Sequence, residues 1–501
     1  MRILTAEEIR LVEQKCFEKY ATEAQLMLRA GKACFGTMTG AYEMKNRRVT
    51  VLCGNGKNAG DGFVIARLLW CYGANAEILL CDKMPEIAEP LLYFEQAMAI
   101  GVPVRRYQGE ERFEADFLVD CLFGIGFHGE PRAPFDQVFT AVNRSIATVI
   151  SVDTPSGTDA TTGKICKNCV KADLTVAIST LKYAHVLPPA NAFCGKTEVV
   201  GIGIPEDCYE AEYAETIEAD AVKKLFLKRD KNANKGSCGH QLNIGGSYQM
   251  FGAAVMMTEA GLRAGAGLVK LTVPQSAYPL VAAHLTQPIF NPVLDSEDGT
   301  FSSLAIPGIL QDMTWADSIV LGCGMGNNEA TAAVTEAVLK NAQCPIILDA
   351  DGINTLISRI SILEEVKVPI VLTPHPGEMA RLISCQVAEI QENRICAAKE
   401  FAEKYKLVLV LKGANTVVTD GKSVFVNTTG NPGMAMGGSG DMLSGMIGAF
   451  VAQGLAPFDA ARAAVYLHGL CGDDAARSLS QRGMLVSDMT EQLGALMSEL
   501  E

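Results

Sequence analysis

The stretch Arg48–Gly62, which reads R-V-T-V-L-C-G-N-G-K-N-A-G-D-G, decides how the first half of the chain folds. Apolar and β-branched residues dominate its first six positions and predict a buried strand, and the glycine-rich turn leads into a helix over Gly62–Tyr72. Further strands are predicted at Ala76–Cys81, Asp116–Cys121 and Ala147–Val152, with helical patterns between them. This alternation predicts an α/β fold in which a parallel sheet carries helices on both faces.

Polar, glycine-containing loops follow three of these strands. They are Gly54–Gly62, Asp120–Gly126 and Asp153–Asp159. Because ligands bind beyond the carboxyl ends of the strands in open parallel sheets, we expect the three loops to form one site.

The second half repeats the strand–helix rhythm from Gln241 onward. A charged segment between Pro205 and Lys235 precedes it and indicates a domain boundary. We therefore expect two domains, 1–215 and 216–501. The strands predicted for the second domain are Ser318–Leu321, Pro345–Leu348, Pro369–Leu372 and Leu407–Leu411.

The strongest local signal in the second half is Gly430–Asp441, G-N-P-G-M-A-M-G-G-S-G-D, which precedes a helix predicted to begin near Met442. Consecutive glycines at the start of a helix expose backbone N–H groups, and the helix dipole adds positive charge, so the loop suits a phosphate. Asp441 is placed to accept a proton from an attacking hydroxyl. The alternative is that Asp441 only caps the helix.

Four other strand ends carry weaker signals. Lys412–Thr416 follows a strand and suits a phosphate or the edge of a nucleotide, although it also fits a plain β-turn. Gly322–Gly326 is by itself only weak evidence of nucleotide binding. Asp349 and Asp351 together suit a Mg²⁺ site. The alternative for Asp351 is that it only caps a helix. His375 is placed to touch a ligand, although the same residues also fit a Pro/Gly turn that starts a helix.

Composition narrows the class of partner and the compartment. The net charge of −14 disfavours nucleic acid and anionic membranes, and no signal peptide or membrane-spanning run is predicted. The 16 cysteines are scattered singly, as expected for reduced thiols in the cytoplasm. Cys166 and Cys169 form a lone C-x-x-C, which we interpret as two ordinary thiols.

The second-half motifs together resemble the ribokinase-like fold and, more narrowly, the NAD(P)H-hydrate dehydratase family over about Glu218–Leu496. Met436 departs from the small polar residue expected there. The resemblance implies that Mg²⁺ and ADP take part, and that Asp441 activates the C6 hydroxyl of a hydrated nicotinamide for phosphorylation. The implied substrate contacts are Ala253, Gly324, Gly326, His375 and Asp441, and the implied ADP contacts are Lys412, Gly413, Ala414, Asn415, Thr416 and Gly440.

The first-half loops resemble the NAD(P)H-hydrate epimerase family over about Met1–Pro205, a Rossmann-like three-layer fold. Lys57 and Ala59 depart from its N-N-G-G-D-G signature. The resemblance implies K⁺ ligands at Asn58, Asp120 and Ser156, and an acid/base at Asp153 or Asp61, of which we favour Asp153. The implied substrate pocket comprises Lys57, Asn58, Ala59, Gly60, Asp61, Gly124, Ile125, Gly126, Phe127, His128, Gly129, Glu130 and Asp153.

The two resemblances together imply an enzyme that repairs hydrated NADH and NADPH (NADHX and NADPHX). It would interconvert their R and S epimers and dehydrate the S form to NAD(P)H with ADP, releasing AMP and phosphate. A homo-oligomer is expected. The alternatives are a ribokinase-like vitamin or small-molecule kinase, and a first half that is a non-catalytic binding module.

Overall fold

The strand predicted over Arg48–Cys53 is an interior strand of a seven-stranded sheet in a computed structural model, which describes residues 1–109, 112–210, 212–226 and 228–500. The chain forms two units, 1–214 and 215–501. The strands of the first unit are β1 (Arg2–Leu4), β2 (Arg48–Cys53), β3 (Asn75–Leu80), β4 (Val104–Arg106), β5 (Phe117–Cys121), β6 (Thr148–Val152), β7 (Leu174–Ile178), β8 (Leu181–Lys182) and β9 (Lys196–Val200).

The helices of the first unit cover both faces of its sheet. Val49 and Val51 of β2 pack with the second, third and fourth helices on one face, whereas Leu52 packs with the fifth on the other. Alternate residues of a strand point to opposite faces, so this is a three-layer fold, as expected. The helices are α1 (Ala6–Lys19), α2 (Glu23–Ala41), α3 (Lys57–Tyr72), α4 (Ala88–Ala99), α5 (Phe135–Arg144) and α6 (Tyr183–Val186), and 3₁₀ turns cover Ala190–Phe193 and Glu206–Cys208.

The sheet of the first unit has the order β4-β3-β2-β5-β6-β7-β9, and all of its neighbouring strands are parallel. The chain runs from β2 outward to β4 and then returns to β5 on the other side of β2. The strand order therefore reverses between β2 and β5. Ligands bind at such a reversal in open α/β sheets.

The second unit is built on a mostly parallel sheet with the order β13-β12-β11-β14-β15-β16-β17-β18-β19-β10. Its strand order reverses between β11 and β14, and β17, β18 and β19 pair antiparallel. The strands are β10 (Ala214–Thr216), β11 (His240–Ile244), β12 (Leu268–Pro274), β13 (Ile289–Val293), β14 (Ser318–Leu321), β15 (Ile346–Leu348), β16 (Ile370–Leu372), β17 (Val408–Leu411), β18 (Val417–Thr419) and β19 (Val424–Val426).

The helices of the second unit include three long ones near its C-terminus. The helices are α7 (Ala219–Lys223), α8 (Phe251–Arg263), α9 (Tyr278–Ala282), α10 (Ile306–Met313), α11 (Glu329–Asn341), α12 (Ala350–Asn354), α13 (Pro376–Leu382), α14 (Val387–Glu392), α15 (Arg394–Tyr405), α16 (Ser439–Ala452), α17 (Pro457–Leu479) and α18 (Val486–Leu500). Short 3₁₀ turns cover Ser303–Ala305, Ile360–Glu364 and Pro432–Met434.

Small residues let α16 pack closely against α8 and the sheet. A Cβ added at Gly445 would lie 2.0 Å from the backbone oxygen of Met257 in α8, and one at Gly448 would lie 2.3 Å from Val320 of β14. These glycines bring the N-terminal end of α16 to the carboxyl ends of the strands. Among the described residues, no helix is long and apolar enough to span a membrane.

Candidate active sites

The first unit contains a cavity of about 590 Å³ at the carboxyl ends of its strands. Ten of the predicted pocket residues line it: Lys57, Asn58, Asp61, Gly124, Ile125, Gly126, Phe127, His128, Glu130 and Asp153. Ala59, Gly60 and Gly129 are not among the lining residues. Since α3 begins at Lys57, each successive residue turns by about 100° around the helix, and Ala59 and Gly60 are directed into the packed interior.

Asp153 forms a buried ion pair in this cavity. Its Oδ1 lies 2.5 Å from Nζ of Lys182, which is 1% exposed and also donates to the backbone oxygens of Ile178 and Thr180. Asp153 has a φ of +68°, a region that Asp tolerates better than most residues and that often marks functional sites. Sequence reasoning missed Lys182, because no local motif connects it to Asp153.

Two further carboxyl groups lie close to this ion pair. Burial, followed by the charges of Asp153 and Glu13, raises the pKa of Asp61 well above its usual value. Burial and the charge of Asp153 also raise the pKa of Glu13, which lines the same cavity and which the sequence analysis did not identify. The site therefore combines a carboxylate paired with a lysine and two carboxyl groups whose pKa values are raised.

The three residues predicted to bind K⁺ lie together beside the cavity. Asp120 is fully buried, and its carboxylate accepts hydrogen bonds from Oγ of Ser156 at 2.6 Å, from the Ser156 N–H at 2.8 Å and from Oγ of Ser151 at 2.9 Å. The amide of Asn58 donates to the backbone oxygens of Phe123 and Val152. The donors to Asp120 in the described chain are all neutral, and burial raises the pKa of its carboxyl group.

Lys57, the departure from the epimerase signature, pairs with Glu23 of α2 at 2.5 Å and remains 59% exposed. It lies at the start of α3, where Gly56 provides no side-chain cap. The first N–H groups of α3 therefore have no side-chain acceptor there.

The second unit places a buried lysine–carboxylate pair at the ends of β15 and β17. Nζ of Lys412 lies 2.6 Å from Oδ1 of Asp349, and Oδ2 of Asp349 accepts from Oγ of Ser444 at 2.6 Å. Burial lowers the pKa of Lys412, but the charges of Asp349 and Glu378 outweigh that effect, and the pKa lies above its usual value. The ammonium group is therefore positively charged at neutral pH.

Asp441 lies next to this pair in the first turn of α16. Burial and the nearby charge of Asp349 raise the pKa of Asp441 to about 6. The helix begins at Ser439, three residues earlier than predicted, and Gly438, with a φ of +95°, occupies the N-cap position. The alternative in which Asp441 only caps the helix is therefore wrong, since α16 has no side-chain cap.

Gly440 brings the glycine loop against the lysine. A Cβ added there would lie 3.1 Å from Nζ of Lys412 and 3.6 Å from Oδ2 of Asp349. The predicted groups Lys412, Gly440 and Asp441 thus share one site. Gly413, Ala414, Asn415 and Thr416 form the exposed to half-buried turn between β17 and β18.

The predicted substrate contacts of the dehydratase lie on neighbouring loops. A Cβ added at Gly324 would lie 2.9 Å from Cβ of Ala253, and the N–H of Gly326 donates to Oδ2 of Asp351 at 2.8 Å. His375 caps its own helix, because its Nδ1 accepts from the Gly377 and Glu378 N–H groups. Its side chain is half exposed, so His375 both caps α13 and remains accessible.

The oxygens of both aspartates predicted as a Mg²⁺ pair accept hydrogen bonds. Those of Asp349 accept from Lys412 and Ser444, and those of Asp351 accept from Gly326 and Asn354. Among the described residues, ligand atoms of Asp349, Asp441 and Cys323 lie within 4.8 Å of one another, so Asp349 stands in a cluster that could hold a metal ion.

Two basic residues near the nucleotide loops were missed by sequence reasoning. Arg394 is 3% exposed, and its Nη2 donates to the backbone oxygens of Leu411 and Lys412, which fixes the end of β17. His468 lies 3.2 Å from Oγ of Ser439 at the start of α16, and burial lowers its pKa to about 4. Neither residue stands in a recognisable motif.

The fold and the two sites define a two-unit α/β protein whose second unit is ribokinase-like. That unit is similar to a ribokinase-like protein from Enterococcus faecalis (26% identity, TM-score 0.51, 58% of this chain and 99% of that one). It is also similar to an ADP/ATP-dependent NAD(P)H-hydrate dehydratase from Bacillus subtilis (28% identity, TM-score 0.50, 58% and 100%).

Full-length relatives extend the similarity to both units. The bifunctional NAD(P)H-hydrate repair enzyme of Moorella thermoacetica is 34% identical over 100% of this chain and 97% of its own length. That of Coxiella burnetii is 35% identical over 98% of both chains. That of Escherichia coli is 36% identical over 97% of this chain and 92% of its own. The family models "NAD(P)H-hydrate dehydratase" and "YjeF-related protein N-terminus" match residues 242–494 and 23–184. The chain belongs to the family of bifunctional NAD(P)H-hydrate repair enzymes, which confirms the predicted family and fold class.

Proposed function

We propose that the first unit interconverts the epimers of NADHX and NADPHX and that the second unit dehydrates the S form with ADP, releasing AMP and phosphate. The observation that carries the proposal is the site in the second unit, where Asp441 and Lys412 meet the glycine-opened end of α16. Family membership over the full chain favours this function over a vitamin kinase with a binding module.

In the second unit Asp441 is the proposed base. Its ionised carboxylate accepts the proton of the C6 hydroxyl as that oxygen attacks the terminal phosphorus of ADP and the bond to AMP breaks. The C–O bond to the new phosphate then breaks and the neighbouring ring carbon loses a proton, which restores the double bond. The free N–H groups of α16 and the ammonium of Lys412 stabilise the transferred phosphoryl group.

In the first unit Asp153 and Asp61 are the proposed base and acid. Asp153 forms a 2.5 Å ion pair with Lys182, whereas burial beside like charges raises the pKa of Asp61 well above its usual value. A carboxylate paired with a lysine and a neighbouring carboxyl group of raised pKa suit the roles of base and acid in one reaction. This arrangement supports Asp153 as the base and adds Asp61 as its partner.

K⁺ fits the oxygen set around Asp120. Asn58 and Ser156 contribute side-chain oxygens, the backbone oxygens of Phe123 and Val152 lie beside them, and Asp120 supplies a charge without a lysine or arginine partner in the described chain. When bound, K⁺ would neutralise that charge and hold together the loops that follow β2, β5 and β6. Mg²⁺ would accompany the nucleotide phosphates beside the Asp349 and Asp441 carboxylates, whose ligand oxygens lie within 4.8 Å of each other.

We propose that the protein acts in the cytoplasm, because that is where a dinucleotide pool would be repaired. Its small-molecule partners would be NADHX, NADPHX and ADP. We also propose a homo-oligomeric assembly.

The test is to incubate the full chain with mixed R- and S-NADHX and ADP and to follow the absorbance of dihydronicotinamide. We expect complete recovery by the wild type. Asp153→Asn should recover only the S form, and Asp441→Asn should recover neither. Exposed Asp220 of α7 supplies a control, since Asp220→Asn removes one charge from the same unit and should retain full recovery. Recovery of both epimers by Asp441→Asn would overturn the proposed mechanism.

A further inference from the structure

The loop after β3 adds an acidic residue to the cavity of the first unit. Asp82 follows β3 by two residues and lines the same cavity as Lys57 and Asp153. The backbone register pairs Leu80 of β3 with Cys53 of β2, so Asp82 and the Gly54–Gly56 loop leave the sheet from adjacent strand ends. Neither the expected site nor the proposed chemistry uses Asp82.

The position of Asp82 follows from the order of the strands. Along the edge of the sheet the order is β6, β5, β2, β3, which places the end of β6 with Asp153 three strand spacings from the end of β3. At about 4.8 Å per spacing this is about 14 Å, a span suited to a dinucleotide rather than a single ring. With the nicotinamide ring at Asp153, the phosphates fall near the uncapped start of α3, and the second ribose reaches β3.

We propose that Asp82 binds the hydroxyl groups of the adenosine ribose and makes the epimerase prefer NADHX over NADPHX. The inference rests on the proposed epimerase function and names its preferred substrate. A carboxylate accepts hydrogen bonds from the 2′- and 3′-hydroxyls, whereas the 2′-phosphate of NADPHX would bring like charges together. Oδ1 of Asp82 accepts from the Lys83 N–H, which steadies the side chain at this position.

Cationic side chains in the same cavity would favour the opposite preference, if one of them reached the 2′-phosphate of NADPHX. Arg10 and Arg132 also line it, and Nη2 of Arg10 would lie 3.8 Å from a Cβ added at Gly126. Gly126 follows β5, on the side of β2 away from β3. Arg10 is therefore better placed for the pyrophosphate than for a group at Asp82.

The experiment measures kcat/KM for epimerisation of R-NADHX and R-NADPHX by the full chain without ADP, so that the dehydratase is silent, with chromatographic separation of the epimers. At low ionic strength, where charge repulsion is least screened, we expect the wild type to favour NADHX by about tenfold. Asp82→Asn should remove most of that preference by raising kcat/KM for NADPHX, whereas Asp82→Glu should retain it.

Glu86 supplies the matched control, because it is exposed on the same loop and does not line the cavity. Glu86→Gln removes one negative charge and should leave the ratio of the two kcat/KM values unchanged. Equal use of both substrates by the wild type, a preference for NADPHX, or an unchanged ratio in Asp82→Asn would each overturn the role of Asp82. Absence of epimerisation with either substrate would instead overturn the proposed function itself.

Discussion

The buried position of Asp441 predicts a specific pH dependence of dehydration. Its pKa is raised from 3.8 to about 6, and only the ionised form can accept the proton of the substrate hydroxyl. About 90% of the group is ionised at pH 7 and about 9% at pH 5, so kcat/KM should fall about tenfold between these values. Asp441→Asn removes the base and should lower the rate by about 10²–10⁴-fold at every pH.

The same pKa predicts an effect on stability with a defined sign. The unfolded chain releases this proton near pH 3.8 and the folded chain near pH 6, so the folded state loses stability as the pH rises through that interval. The shift of about 2 pH units corresponds to about 3 kcal/mol. Asp441→Asn should therefore be more stable than the wild type by up to about 3 kcal/mol at pH 8 and by less than about 1 kcal/mol at pH 4.

Two assays check this reasoning on the same variants. Recovery of NADH from S-NADHX with ADP, measured between pH 5 and 8, locates the pKa, and urea unfolding at pH 4 and pH 8 measures the free energy of unfolding. Asp220→Asn should change neither the pH profile nor the pH dependence of stability. A wild-type rate that stays constant from pH 7 to pH 5, or a gain in stability that is equal at pH 4 and pH 8, would refute the assignment.

Three further predictions test other parts of the molecule. Lys182→Met leaves Asp153 buried without its ion-pair partner. Epimerisation should therefore fall sharply, and the free energy of unfolding of the first unit should decrease by about 3–5 kcal/mol. Dehydration of S-NADHX should continue at the wild-type rate. Asp120→Asn should abolish the dependence of epimerisation on K⁺, measured by replacing K⁺ with tetramethylammonium, and a retained K⁺ response would place the ion elsewhere. Gly445→Ala puts a Cβ 2.0 Å from a backbone oxygen of α8 and should cost about 1–3 kcal/mol in thermal unfolding, whereas Gly494→Ala, with nothing within 4 Å, should stabilise slightly.

Strand positions were predictable because each buried strand is an apolar run that ends at a glycine or a polar residue. The strand predicted at Arg48–Cys53 is observed as such, and that at Pro345–Leu348 differs by one residue. Helix starts were less predictable. Helices α3 and α16 each begin before the predicted residue, because glycine-rich segments can enter a helix without an apolar periodicity to mark the start.

The residues that complete each site could not be predicted in the same way. Lys182, Glu13 and Ser444 carry no local motif, and each reaches its partner from a distant part of the chain. The hydrogen bonds that Asp349 accepts from Lys412 and Ser444 were likewise not visible in the sequence, because they join different strands and helices.

By itself the sequence determined the α/β class, the two successive series of strands and helices, and the loops at the strand ends. Each of these follows from patterns within a few consecutive residues, since periodicity and glycine content act locally on the backbone. Only the tertiary structure decided which charges face each other, which oxygens are already hydrogen-bonded and which carboxyl groups have a raised pKa. Those properties depend on burial and on distances between groups far apart in the chain, because the cost of removing a charge from water is set by everything packed around it.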